Sequence, residues 1–395
     1  MNFTKLTEYL DSLETNYKIP GGDCIICQNH ETIYRHGFGF SDYEKKKPVD
    51  PNDIYMLYSA SKVITMTAVL QLIEQGKLHL YDQLTDFFPE FSVLRVADDF
   101  SISFPTKWPD KDTPCHLAHR SIRIIDLMTM TSGLSYDTES EVLNRLKERS
   151  GNQASTCQVI SSMAGMPLVY EPGERWSYNL GHDILAGVVE KVSGMRFSQY
   201  LDRNLFGPLG ITDFRFRPDA VPSALYRTEI GPDGLLTDNI LPYPEGYHSR
   251  FRITENYESG GAGLFGTAAS YSKFIDCLAC GGTGWNGSAI LSGDTVRLFT
   301  IPYTTGRQLE DFRMTGKKEY GYGLGVRVRT ESRDSLVPPG EFGWDGAAGA
   351  YVLADPLNKI SIFYVQHVFG FPKAYSHIHP AIRDLAYGGI FGKTE

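Results

Sequence analysis

Apolar positions recur with three different periods along this chain, and each period predicts a different element. Leu6, Tyr9, Leu10 and Leu13 fall at helical spacing, so residues 3–16 read as an amphipathic helix, stopped by Pro20-Gly21-Gly22. Cys24 to Gln28 and Thr32 to Phe38 read as two strands joined in a hairpin at Asn29-His30-Glu31. From Ser59 the pattern changes again. No charge follows Lys62 until Glu74, so a helix over 59–75 is predicted to be buried on most of its circumference. Further helices are predicted at 122–131, 139–149, 182–193, 197–204, 267–279 and around 381–386. Pro, Gly and Asp cluster between 206 and 247, which reads as irregular. Strand patterns return at Gly323 to Arg329, Ala350 to Ala354 and Ile360 to Gln366. Strands at both ends with helices between predict one sheet, with a helical lobe inserted into it. The α/β part would comprise about 1–57 and 258–395, and the helical lobe about 58–257. Loops at 95–120 and 206–258 are expected to shape the pocket.

The 395 residues are 42% hydrophobic and 22% charged, as in ordinary globular proteins. A net charge of −9, with no basic stripe beyond Lys45-Lys46-Lys47, argues against a nucleic-acid partner. No apolar run is long enough to span a bilayer. Met1 to Glu8 lacks the pattern of a signal peptide, so a cytoplasmic enzyme is expected. Six cysteines stand at 24, 27, 115, 157, 277 and 280. Cys24 and Cys27, three apart in a strand, point to opposite faces and cannot chelate together. Cys277 and Cys280 could share a helix face, but small residues beside Leu278 need no metal. Free, buried thiols are expected at all six.

The candidate chemistry starts at Ser59-Ala60-Ser61-Lys62. Ser59 falls in the first turn of its helix, where free N–H groups favour developing negative charge. Lys62, three residues on, shares its face, and an amine among apolar side chains is suited to take a hydroxyl proton. S-x-x-K also occurs at Ser270 to Lys273, where Phe274, Ile275 and Leu278 form the stripe of an amphipathic helix; that copy reads as structural. Gly261 to Gly266 matches G-x-G-x-x-G but follows a polar segment outside any βαβ pattern, so it reads as a turn before a helix, with no cofactor implied. His116 and His119, like His377 and His379, lack a matching carboxylate motif, and no metal is expected. The G-x-S-x-G elbow is absent. Two other segments complete the set. Glu171-Pro172-Gly173-Glu174-Arg175-Trp176-Ser177-Tyr178 leads into a helix and offers a phenol. Phe342 to Tyr351 is a glycine-rich turn entering a strand, with a backbone N–H near Ala347 that could join that of Ser59 around an oxyanion.

Together with Ile124 to Leu134, Gly260 to Leu264 and Trp344 to Ala347, these motifs resemble the serine β-lactamase and penicillin-binding-protein superfamily. The branch they resemble is that of the class C β-lactamase-related esterases, the family VIII carboxylesterases. The resemblance implies an α+β, β-lactamase/transpeptidase-like fold: an antiparallel sheet flanked by helices, with the inserted lobe and a cleft between. It implies Ser59 as acylated nucleophile, Lys62 and Tyr178 as proton-transfer pair, and the amides of Ser59 and Ala347 as oxyanion hole. Asn179, Trp344, Asp345 and Gly346 are expected at the substrate. The lactamase branch has Tyr-x-Asn where this chain has Leu180, leaving Asn179 offset by one. It has Lys or His where this chain has Trp344. Both departures favour small neutral esters over penicillins or D-amino-acid amides, which stay as the alternative; a non-catalytic relative is the third reading. Asp345 replaces a usual Gly, and a charge there is expected to repel anions and favour amine-bearing substrates.

Overall fold

An eight-stranded antiparallel sheet ties the two ends of the chain together in the computed structural model, which describes residues 1–99, 106–110, 112–243, 251–332 and 335–392. Of the loops expected to shape the pocket, 100–105, 111 and 244–250 lie outside the described residues. Across the sheet the strands run Tyr320–Tyr322, Arg327–Arg329, Phe342–Gly343, Tyr351–Asp355, Ile360–Val365, Gly21–Gln28, Glu31–Asp42 and Lys47–Pro48. The N-terminal hairpin therefore docks beside a C-terminal strand, in a register that sets Cys24 opposite Tyr364. Its reversal is made by Asn29 (φ 50°) and His30 (φ 72°), the two left-handed residues of a two-residue hairpin turn.

The central strands are buried on both faces, which explains why they read as nearly continuous apolar runs. Ile25, Cys27, Phe363 and Val365 face the large core shared with the helices of the middle of the chain. Cys24, Ile26, Ile362 and Tyr364 face a second core, under the helices Thr4–Asp11 and His379–Phe391. Cys24 and Cys27 thus sit on opposite faces, and all six cysteines are free, although Cys115, Cys157 and Cys280 are only half-buried.

Several elements differ from the sequence expectation. The strand predicted over 323–329 is a hairpin that reverses at Gly325 (φ 76°). The stretch read as irregular contains a second hairpin, Tyr226–Ile230 with Leu236–Pro242. Its polar, exposed residues hide the period-2 pattern. Thr156–Met163 and Gly306–Arg313 are further helices outside the expectation: the first buries Val159, Ile160 and Met163 within only eight residues, and the second buries Phe312 alone. The helix at 197 turns wide after Leu201 into a π turn over Asp202–Phe206. Among the described residues, no helix is long and apolar enough to cross a membrane.

Candidate active site

A short strand, Ile54–Met56, pairs with Phe265–Thr267 and delivers the chain to Tyr58, whose φ of 47° is rare for a residue with a bulky side chain. Such a conformation costs about 1–3 kcal/mol. The Tyr58 ring is held between Phe251 and Phe369, at 6.0 and 5.5 Å. The strained residue turns the backbone so that Ser59, in a single 3₁₀ turn, leads directly into the helix Ser61–Glu74. Every residue from Ser61 to Leu72 in that helix is buried, as the charge-free run predicted. Ser59 itself keeps 7% exposure.

Lys62 is fully buried, with Nζ 3.4 Å from Ser59 Oγ and donating to the Gly261 carbonyl at 2.7 Å. One turn on, the Thr65 hydroxyl donates to the Gly260 carbonyl at 2.6 Å. The glycine run that matched a nucleotide fingerprint is thus the strap against which the helix Ser61–Glu74 packs. A Cβ at Gly261 would stand 2.4 Å from Asp183 Oδ2 and 3.3 Å from Lys62 Nζ, so no larger residue fits. The second S-x-x-K copy lies on the helix Ala268–Ala279, where Lys273 sits over the Trp285 ring and Tyr271 donates to the Ala60 carbonyl.

Tyr178 reaches Ser59 from the third segment of the chain. The loop before it is pinned by Gly173 N–H to Thr131 O (2.7 Å), Ser177 N–H to Met130 O (3.1 Å) and a two-pronged Arg175–Asp311 pair. At its end the Tyr178 hydroxyl donates to Ser59 Oγ at 2.7 Å. Lys62 Nζ lies 4.6 Å from the centre of the Tyr178 ring. A hydroxyl, an amine and a phenol drawn from positions 59, 62 and 178 therefore meet at one point.

The remaining expected residues divide. Trp344 stacks on Tyr178 (centroids 5.7 Å, 17° between planes), and its indole N–H donates to the Tyr178 oxygen at 3.2 Å. Gly346 brings its loop against the chain just before Ser59; a Cβ there would meet the Leu57 carbonyl at 2.6 Å. Next to it, the Ala347 carbonyl accepts from Gly370 N–H at 3.1 Å. Among the described residues, the N–H groups of Ser59 and Ala347 make no hydrogen bond.

Asn179 does not face a substrate. It is fully buried, and its amide closes the turn into the helix Gly181–Ser193, accepting from Gly181 N–H and donating to Ser177 O, both at 2.8 Å. Asp345 is not a free charge either. Its carboxylate binds Arg327 at 2.8 Å and Lys317 at 2.7 Å. Burial alone would raise its pKa, but Arg327, Lys317 and His379 outweigh that and hold it well below the usual range. The amine preference expected from this residue has no exposed carboxylate to rest on.

Sequence reasoning missed three neighbours. Tyr136 lies 4.8 Å from Tyr178, ring to ring, with Lys62 Nζ 5.3 Å from its centre. Burial, then Tyr178 and Asp183, push its phenol well above the ordinary value, so it stays a neutral wall. Its only signal was its place two residues beyond Ser132-Gly133-Leu134. Asp183 is buried and accepts from Tyr257 and Ser259 hydroxyls at 2.7 and 2.6 Å and from Gly261 N–H at 3.3 Å, so it fixes the carbonyl that holds Lys62. His182 is buried beside it; desolvation, then the Lys62 charge, keep its imidazole neutral.

A family model described as Beta-lactamase matches residues 6–387. Protein Rv1367c of Mycobacterium tuberculosis is 28% identical over 362 residues, covering 88% of this chain and 86% of its own. Esterase EstB of Burkholderia gladioli is 26% identical over 290 residues, covering 69% of each. In three dimensions the chain is similar to EstCE1, described as a hydrolase with promiscuous acyltransferase activity. The TM-score is 0.75, with 24% identity and 98% of each chain covered. The chain belongs to the beta-lactamase family and has its fold. It is a serine hydrolase of that family.

Proposed function

We propose that this enzyme cleaves small neutral esters through an acyl-enzyme on Ser59. The observation that carries the reading is the 2.7 Å contact between the Tyr178 and Ser59 hydroxyls, with Lys62 Nζ at 3.4 Å from the same oxygen. In this reading the Tyr178–Lys62 pair reacts one proton short, as phenol with neutral amine or phenolate with ammonium, and Ser59 Oγ attacks the ester carbonyl while its proton passes to that pair. The carbonyl oxygen, now negative, is met by the N–H groups of Ser59 and Ala347. Collapse releases the alcohol, which takes the proton back from the pair. Water, or a second alcohol, then attacks the acyl group by the same path in reverse.

Neutral esters are favoured over carboxylate-bearing lactams and peptides for a local reason. Trp344 offers an uncharged wall, and the nearby cations Arg327 and Lys317 are committed to Asp345. EstB, an esterase by name, is consistent with that class.

The test is covalent labelling with a fluorophosphonate, read by intact mass and peptide mapping, alongside hydrolysis of p-nitrophenyl acetate and butyrate. One adduct on Ser59 is expected, together with loss of both labelling and hydrolysis in Ser59→Ala. Tyr178→Phe should lower kcat by at least about 10²-fold. Full activity in Ser59→Ala would sink the reading.

A further inference from the structure

Away from Ser59, the strand Cys115–Leu117 pairs with Arg95–Ala97 and ends beside the start of the loop that carries Tyr178. There Glu171, whose side chain is only 9% exposed, faces two histidines. His116 Nε2 lies 3.0 Å from Glu171 Oε1, and His119 Nδ1 lies 3.4 Å from the same oxygen. The backbone N–H of His119 donates to Glu171 Oε2 at 3.0 Å, which fixes the carboxylate's orientation. On the far side of its ring, His116 Nδ1 lies 2.6 Å from Asp98 Oδ1. The three inward-facing atoms all fall within 4.8 Å of one another.

We propose that His116 Nε2, His119 Nδ1 and Glu171 Oε1 form a binding site for a divalent cation of the zinc type, with Asp98 orienting His116 and water completing the coordination. Zinc binds imidazole and carboxylate at about 2.0–2.2 Å, so the edges of its tetrahedron are about 3.4 Å. The two edges to Glu171, 3.0 and 3.4 Å, lie close to that value, and the edge between the two histidine nitrogens is within 4.8 Å. Two imidazoles with one carboxylate suit zinc and disfavour calcium or magnesium, which take oxygen ligands. A carboxylate on the outer nitrogen of a ligating histidine, as Asp98 stands to His116, sets the tautomer that leaves Nε2 free to bind.

The competing arrangement is a proton bridge. Both ring nitrogens of His116 face acceptor-only oxygens, and hydrogen bonds to Asp98 and then Glu171 raise its pKa. A doubly protonated His116 satisfies those two contacts. It leaves the His119 ring nitrogen 3.4 Å from the same oxygen, at the outer edge of a hydrogen bond. One cation answers both histidines at once. Because Glu171 opens the segment that ends at Tyr178, the bound ion would tie that segment to the Arg95–Leu117 hairpin. Its effect belongs to stability, with no part in the reaction at Ser59.

The experiment uses tag-free, full-length protein freed of metal by chelation, titrated calorimetrically with Zn²⁺ at pH 7.5 and followed by thermal unfolding. One equivalent per chain is expected, with a rise in Tm, and no response to millimolar Mg²⁺ or Ca²⁺. His119→Ala, at a side chain 76% exposed and so tolerant of truncation, should lose binding by at least about 100-fold while keeping ester hydrolysis. Asp98→Asn should weaken binding about 10- to 100-fold. Ser59→Ala should bind zinc normally, which separates this site from the esterase reading. No uptake by the wild type, or one equivalent still taken up by His119→Ala, would overturn the proposal and leave the proton bridge.

Discussion

The Tyr178 oxygen stands between two partners: it receives the Trp344 indole N–H at 3.2 Å and donates to Ser59 at 2.7 Å. Trp344 is thereby a positioning residue for the phenol as well as a wall. Trp344→Phe retains the stacked ring and removes the donor. It should lower kcat roughly 3- to 10-fold with KM little changed, the scale of one lost hydrogen bond. An equal rise in KM would instead mean that the indole meets the substrate. Leu180, where the lactamase pattern has Asn, is buried at the start of the helix Gly181–Ser193. Leu180→Asn puts an amide into that apolar site. A stability loss of about 3 kcal/mol in urea unfolding is expected, with no gain in turnover of a chromogenic cephalosporin. A gain would show that position 180 alone selects ester over lactam.

At the scale of elements, the site is a junction of a helix, a loop and the connection between the strands Phe342–Gly343 and Tyr351–Asp355, and glycine is required where that connection comes closest. The Leu57 carbonyl would meet a Cβ at Gly346 at 2.6 Å, and a backbone atom has no rotamer to yield. Gly346→Ala should push the turn bearing Ala347 away from the Ser59 turn, cutting kcat at least about 10-fold for a Tm loss of only a few degrees. Measuring kcat beside Tm checks this; a fall in Tm with kcat unchanged would detach Ala347 from the oxyanion role. The same junction explains what was readable in advance. The buried run after Lys62 and the two-faced strands Gly21–Gln28 and Ile360–Val365 carry periods that belong to their own residues. The hairpin Tyr226–Ile230 with Leu236–Pro242 does not, because its second strand lies largely exposed and gains its pattern only from its partner.

For the molecule as a whole, acid is the predicted weak point. His367 is buried as a neutral imidazole: Met56 N–H donates to Nε2 at 3.3 Å, and Nδ1–H donates to the Ala224 carbonyl at 3.1 Å. Burial lowers its pKa to about 4, and desolvation does the same for His379 despite the nearby Asp345. Both folded values lie below the unfolded value near 6.5, so the unfolded chain takes up protons first as pH falls. Stability is therefore complete above about pH 6.5 and drains away toward pH 4. Each histidine should account for about 2 kcal/mol by pH 5. His182 acts in the same direction. Asp345, with its lowered value, adds a loss only at more acidic pH. Urea unfolding at pH 7.5 and pH 5 tests this, since His379→Gln should lose about a third of the slope that the three buried histidines produce, whatever its absolute stability. An unchanged slope would refute the assignment.

The motifs with their order and the strand and helix periods of the central elements were all present in the chain read as text, whereas the meeting of Ser59 with Tyr178, 119 residues apart, took the fold to show. Motifs and periods are local patterns, and local patterns survive without coordinates. What Asp345, Tyr136 and Glu171 do was decided elsewhere. Asp345 is neutralised by Arg327, 18 residues away, and Glu171 meets His116 across 55 residues. A side chain's charge and freedom depend on which distant groups the fold packs against it, and spacing along one chain does not record that.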